Sequence, residues 1–219
     1  MKLLFRSLLF LILLGFSASA SAEQENGSHI TKALIFGDSM AGWLGERLNA
    51  YGRENGFEVG TVVWDGATIQ KFANSPQLKA IIDKQDPQVV FVCLGMNNLA
   101  EPRPAVVKPA VDKIIEAVGG RRLVWIGPPS WPGKPKWTAL NSYLETTLGP
   151  DRYFNSFGLT LPRQSASNPH PTREGMIKWG DALAAWLPDH VEGFSTLRKP
   201  PMPMVRGKYF IYKRMKEKL

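Results

Sequence analysis

Two residues whose side chains can act together as a nucleophile and its base stand far apart in this chain. Ser39 follows Asp38 in "FGDSM", where an apolar run passes into a helix-like pattern. Free N–H groups and the helix dipole favour developing negative charge at such a junction. His170 lies between two prolines in "SASNPHPTREG", just before a predicted helix start. The plainer alternatives are that Ser39 is a helix N-cap and that His170 is an ordinary loop residue.

Two further residues follow other apolar runs. Gly66 comes after the second run in "WDGATI", and glycine lets a backbone N–H approach a ligand closely. Asn97 comes after the third run in "LGMNN", where its amide could donate to an oxyanion. Turns also commonly contain glycine and asparagine for purely structural reasons. If these runs are parallel strands, their carboxyl ends bring both residues close to Ser39.

The elements that must position these residues are strands that alternate with helices. Almost continuous apolar runs predict a strand that ends in a sharp turn in "KALIFGDS" (32–39), and strands at 57–64, 88–95 and 121–129, the last ended by its prolines. A short fifth strand is predicted at 152–156. Helical spacing is found after Ser39 (Met40, Trp43, Leu44 and Leu48) and in the ranges 74–84, 102–118, 136–148 and 172–187. The alternation predicts an α/β fold, a three-layer α/β/α sandwich around a parallel sheet of about five strands.

"FGDSM", Gly66, "GMNN" and "HP", in this order, resemble the four sequence blocks of the SGNH hydrolase superfamily, also called GDSL esterases and lipases. The resemblance extends from about Lys32 to Leu187 and implies a flavodoxin-like fold. It also implies that Ser39 is the nucleophile and His170 the general base. The implied oxyanion hole consists of Ser39, Gly66 and Asn97, and the implied chemistry needs no metal or organic cofactor.

The chain departs from the family pattern before the histidine. The family usually has an aspartate three residues earlier, where this chain has Ser167. We therefore expect a Ser–His dyad of reduced activity. The Ser167 hydroxyl or a backbone carbonyl of the loop is expected to orient the imidazole, with Asp151 and Asp181 as alternatives. Asn98, where the family often has aspartate, is expected to affect loop packing only.

Aromatic residues near the predicted edge suggest the substrate. Trp131 and Trp137 in "PPSWPGKPKW" could stack on sugar rings, and Trp64 and Asp38 at the same edge are further candidate substrate contacts. The alternative is that these tryptophans only stiffen a loop. The leading hypothesis is an exported esterase that removes O-acyl groups from a saccharide, followed by lipid or small aryl esters as substrates. An O-acyltransferase acting on an envelope polysaccharide and a catalytically weakened binding protein are the other two hypotheses.

The two ends of the chain differ from the domain predicted at 30–190. Residues 1–22 have the pattern of a secretory signal peptide: Lys2 and Arg6, an apolar stretch, and Ala-x-Ala ending at Ala20 and Ala22. This predicts a periplasmic or secreted protein, peripherally associated with the membrane or cell wall in one version of the hypothesis. The single cysteine, Cys93, excludes an internal disulfide, and the three scattered histidines favour no metal site.

The net charge of +8 is concentrated at the C-terminus. The range 198–219 holds eight Lys or Arg residues and one Glu, so it accounts for +7 of this charge. We expect 198–205 to be a linker into a basic tail. An anionic envelope polymer or a membrane surface suits such a tail, whereas nucleic acid is a poor partner for an exported protein.

Overall fold

The computed structural model describes residues 29–131, 139–168, 170–208 and 210–212. The predicted signal peptide at 1–22, Trp137 and residues 213–219 of the basic tail lie outside these ranges. Within them, no helix is both long enough and apolar enough to cross a membrane.

Strands and helices alternate along the described chain, as the apolar periodicity predicts. The strands are β1 (Lys32–Gly37), β2 (Glu58–Val63), β3 (Val89–Cys93), β4 (Arg122–Ile126), β5 (Tyr153–Phe154) and β6 (Phe210–Tyr212). The helices are α1 (Ala41–Asn55), α2 (Ile69–Ala73), α3 (Gln77–Gln85), α4 (Lys108–Val118), α5 (Ala139–Leu148) and α6 (Arg173–His190). Short 3₁₀ turns at Met96–Asn98 and Pro104–Val107 precede α4.

The strands form one parallel sheet in the order β5-β4-β3-β1-β2-β6. Five of them are the predicted strands, and β6 is an addition at the edge beside β2. β1 lies at the centre, and the chain crosses it between β2 and β3, so the order reverses there. Ligands of open α/β sheets bind beyond the carboxyl ends of the strands at such a reversal.

Side chains that alternate along the strands divide the core into two. Ile35 and Phe91 pack on one face of the sheet with residues of α1 and α6, such as Leu44 and Trp179. The opposite core contains Phe36 of β1 together with apolar residues of α2 to α5. The predicted three-layer α/β/α sandwich is therefore confirmed. Both faces of the sheet are covered, which explains the continuous apolar runs.

The expectation that 198–205 is a linker is wrong, because this segment packs against α1. Arg47, which is 1% exposed, donates hydrogen bonds to the carbonyls of Met202 and Pro203 at 3.2 and 2.9 Å. The Asn49 amide donates to Val205 O at 3.1 Å. Met204 and Val205 are buried. The segment is held mainly through its backbone carbonyls, and a sequence pattern does not record such contacts. Its composition, rich in proline and methionine, therefore resembles that of a linker.

Candidate active site

The structure brings Ser39 and His170 together across 131 positions of the sequence. Ser39 Oγ lies 3.2 Å from His170 Nε2. Ser39 follows β1 at the centre of the sheet, and His170 lies two residues before Thr172, whose hydroxyl caps α6. The alternative of Ser39 as N-cap is wrong, because Met40 occupies that position at the start of α1. The serine side chain is directed to the histidine instead.

Asn168 orients the imidazole from the other side. His170 Nδ1 lies 2.5 Å from Asn168 Oδ1, and the amide nitrogen of Asn168 donates to Gln164 Oε1 at 2.8 Å. The second bond fixes the direction of the amide, so its oxygen faces the ring and accepts the Nδ1 proton. Nε2 is then unprotonated and accepts the Ser39 hydroxyl proton. This is the tautomer that a general base requires.

The expected orienting residues lie elsewhere. Ser167 Oγ contacts Ser165 Oγ at 3.2 Å, so its assignment to the histidine is wrong. Asp181 forms an ion pair with Arg47 at 2.5 Å, and Asp151 lines a cavity beside β4 Arg122. Asn168 was missed because the family pattern directs attention to an aspartate. A side-chain carbonyl one residue away offers the same acceptor, and the asparagine in "SNPHP" was the available signal.

The loop that carries His170 is closed by short-range bonds and by an aromatic contact. Gln164 N donates to His170 O at 2.9 Å, and the Asn168 N–H donates to Ser165 Oγ at 2.9 Å. The Trp131 ring meets the imidazole edge to face, with centroids 5.5 Å apart. The Arg163 guanidinium lies over the same indole, 5.6 Å from its centroid. Trp131 thus packs against the imidazole of His170 and helps to hold it in place.

Asp38 lies behind the nucleophile and is 1% exposed. One of its oxygens accepts Met40 N–H at 3.0 Å, and the other accepts Asn97 Nδ2 at 3.3 Å. Burial raises the pKa of Asp38 to about 7, a tendency that the charge of Asp65 reinforces and these hydrogen bonds oppose. The expectation that Asp38 contacts substrate is wrong, because the carboxyl group is enclosed by the protein.

Asn97 and the loop of Gly66 meet beside Asp38. Asn97 Nδ2 donates to Ala67 O at 2.9 Å, in addition to its longer bond to Asp38. Gly66 has φ 65°, and the turn that contains it is closed by a bond from Ala67 N to Trp64 O at 3.0 Å. A side chain is disfavoured at this φ, so the turn requires glycine. Both residues are exposed at the carboxyl edge of the sheet.

Asn98 connects the loop after β3 to the start of α2, in agreement with its predicted role in loop packing. Its Oδ1 accepts Ile69 N–H and its amide nitrogen donates to Gln70 Oε1, each at 2.9 Å. The side chain is 7% exposed. A buried amide with partners at both of its ends fixes the loop after β3 against the start of α2. Asn98 thereby fixes Asn97 relative to Gly66.

A cleft of about 360 Å³ opens beside the dyad. Besides Ser39 and His170, its polar and aromatic walls are formed by Trp43, Glu46, Asp65, Gln164 and Arg206. Trp43 is 42% exposed, so its helical spacing with core residues does not place it in the core. Trp64, an expected substrate contact, packs against Phe72 with centroids 5.6 Å apart. Among the described residues, no group of three His, Cys, Asp or Glu side chains could hold a metal ion.

This architecture is shared with several solved structures. The chain matches the crystal structure of TesA with a TM-score of 0.59 at 17% identity, covering 74% of this chain and all of TesA. The psychrotrophic esterase EstA from Pseudoalteromonas sp. matches with a TM-score of 0.56 at 15% identity, over 73% of this chain and 97% of EstA. The family 3 carbohydrate esterase of Clostridium thermocellum gives 0.54 at 17% identity, over 73% and 96%.

The chain therefore shares the fold of these three proteins. In sequence, it is 31% identical over 140 residues to protein BcsX of Komagataeibacter xylinus, which covers 57% of this chain and 53% of BcsX. The match therefore spans about half the length of that relative. No family model matches the chain.

Proposed function

We propose that this protein is a serine esterase that acts through an acyl-Ser39 intermediate. The observation that carries the proposal is the continuous chain from Ser39 Oγ to His170 at 3.2 Å and from His170 to Asn168 at 2.5 Å. It lies at the carboxyl edge of the sheet, where the fold binds ligands. A histidine held in the tautomer that accepts a hydroxyl proton is the arrangement that activates serine.

The geometry supports a two-step reaction. Ser39 Oγ attacks the ester carbonyl carbon while its proton passes to His170 Nε2, and the Nδ1 proton stays directed at Asn168. The tetrahedral intermediate then expels the alkoxide, which takes the proton from Nε2 and leaves as the alcohol. A water molecule attacks the acyl-enzyme with the same base and releases the acid and free Ser39.

The oxyanion formed in each step needs donors at the carboxyl edge. We assign them to the backbone N–H groups of Ser39 and Gly66 and to the amide of Asn97. The 2.9 Å bond to Ala67 holds the Asn97 amide in place, and the longer bond to Asp38 at 3.3 Å is the one that an oxyanion replaces. Loss of one such donor typically raises the activation barrier by about 2.7–4 kcal/mol.

The cleft favours an O-acylated saccharide as the substrate. The exposed ring of Trp43 can stack on a sugar face. Glu46 and Asp65 can accept hydrogen bonds from hydroxyl groups, and the Gln164 amide can both accept and donate them. One of the proteins that share the fold is a carbohydrate esterase. The export of this enzyme remains a proposal that depends on the sequence pattern of residues 1–22.

Labelling with a fluorophosphonate probe tests the proposal. The wild-type protein should form a covalent adduct, and Ser39→Ala should form none. Ser167→Ala is the matched control, since Ser167 is an exposed serine on the same side of the fold whose hydroxyl contacts Ser165. Absence of an adduct on the wild-type protein would contradict the enzymatic proposal. Release of acetic acid from glucose pentaacetate, measured with and without an acceptor glycan, separates hydrolysis from acyl transfer.

A further inference from the structure

One wall of the cleft comes from a segment far outside the family blocks. Arg206 is exposed and lines the same cleft as Ser39, His170 and Trp43. It follows Val205, whose N–H donates to Glu46 O at 2.9 Å on α1. Glu46 also lines the cleft. The C-terminal segment 198–208 therefore reaches the site directly.

A set of polar contacts holds this segment in place. Arg198 is paired through its backbone with the Asn55 amide, at 2.7 and 2.9 Å. Asp181 of α6 receives both Arg47, at 2.5 Å, and Lys199, at 3.1 Å. Together with the bonds from Arg47 and Asn49 to the backbone of 202–205, these contacts fix the segment at both of its ends. A wall fixed in this way can select a ligand without first having to be ordered.

The position of the cleft relative to the dyad identifies the part of the substrate that it receives. His170 returns its proton to the leaving alkoxide, so the alcohol leaves from the histidine side. Gln164, His170 and Pro171 line the cleft, whereas among its described lining residues neither Gly66 nor Asn97 is present. We therefore assign the alcohol part of the ester to this cleft, on the histidine side of Ser39.

We propose that the C-terminal segment is the specificity wall of the enzyme, with Arg206 contacting the hydroxyl groups of a saccharide whose ring lies against Trp43. This inference rests on the proposed esterase function. Among the described lining residues, two carboxylate side chains, Glu46 and Asp65, accompany one guanidinium, which disfavours an anionic saccharide. The guanidinium offers several donors in a fixed plane, which suits the oxygen atoms of a sugar.

The test compares two acetyl esters that differ in their alcohol, glucose pentaacetate and p-nitrophenyl acetate. Arg206→Ala should lower kcat/KM for the saccharide ester about 10- to 100-fold, chiefly through KM, because a hydrogen bond from a charged donor is lost. The loss for the aryl ester should be several times smaller. Arg206→Lys should give an intermediate value for the saccharide ester.

Lys208→Ala is the matched control. Lys208 lies on the same segment but pairs with Glu58 at 3.2 Å and lines a different cavity. It should keep both kcat/KM values within about two-fold of the wild type. Equal losses on both esters with Arg206→Ala, or no loss on either, would overturn this inference while fluorophosphonate labelling of Ser39 persists. Failure of that labelling in the wild type would instead overturn the esterase proposal.

Discussion

The nucleophile and the base are held by two different kinds of structure. Ser39 follows the central strand, and the turn around it is enclosed: Asp38 N–H bonds to Cys93 O at 3.1 Å, and Asp38 and Met40 are each 1% exposed. His170 sits on an exposed loop, where side chains such as Asn168 and Gln164 bond to each other at the surface. One half of the site depends on the sheet and the other on a few local polar contacts.

This difference shows where the site tolerates change. The buried turn is tied to the core of the fold, so its residues affect stability and catalysis together. The exposed loop can exchange one acceptor for another as long as an oxygen faces Nδ1. The amide of Asn168, which takes the place of an orienting carboxylate, lies on this second half of the site.

The largest effect should follow removal of the base itself. His170→Ala should lower kcat for p-nitrophenyl acetate about 10²- to 10⁴-fold, because Ser39 loses its proton acceptor. His190→Ala is the control, since His190 stacks on Trp186 at the end of α6, with centroids 4.2 Å apart. A wild-type rate in the His170 variant would show that another group activates Ser39.

A smaller effect should follow loss of the orienting amide. Asn168→Ala should lower kcat about 10-fold, because the imidazole loses control of its tautomer but keeps its contact with Ser39. Ser167→Ala, one residue earlier on the same loop, should retain the wild-type rate. Steady-state kinetics on the same ester measure both variants.

The aspartate variant at this position tests whether a carboxylate orients the imidazole better than the amide does. Asn168→Asp should raise kcat a few-fold, because a carboxylate stabilises the imidazolium that forms during the reaction. A fall to the rate of Asn168→Ala would contradict this and would show that the loop requires the amide. The bond from the Asn168 amide to Gln164 Oε1 would then be the contact that matters.

The fold could largely be predicted because its signals are local. Strands β1 to β5 are continuous apolar runs, and their alternation with helices specifies a parallel sheet covered on both faces. Strand β6 was missed because it is only three residues long, and it is held by backbone pairing with β2. The segment before it was missed because side chains of α1 attach it. The buried Arg47 that binds the carbonyls of 202–203 belongs to α1, and nothing in the bound segment itself indicates that contact.

The sequence predicted which residues meet at the site better than it predicted where their side chains point. The contact of Ser39 with His170 follows from the order of the blocks and the topology of the sheet, and the structure shows it. The roles of Asp38, Trp64 and Ser167 depended on where each side chain points. Sequence proximity to the edge does not specify that direction, and packing turned Asp38 and Trp64 inward. For the same reason the sequence did not indicate that Trp43 lines the cleft, since its helical spacing matches that of core residues.

The remaining prediction concerns the buried half of the site and is a change in stability, with no change in rate at stake. The pKa of Asp38 in the folded protein is about 7, raised by burial from an ordinary value of 3.8. Ionising this group therefore costs more in the folded protein than in the unfolded chain. The free energy of unfolding should fall as the pH rises from about 4 to about 7 and should stay constant above that, with a total loss of up to about 4 kcal/mol from this group.

Asp38→Asn removes this titration while keeping an oxygen that can accept the Met40 N–H. Relative to the wild type, the variant should gain stability between pH 4 and pH 8, measured by urea unfolding at both values. A constant difference across that range would contradict the prediction. That outcome would mean that the hydrogen bonds from Met40 and Asn97 offset the cost of burying the ionised carboxylate. The buried turn would then accommodate a charged Asp38 with no loss of stability.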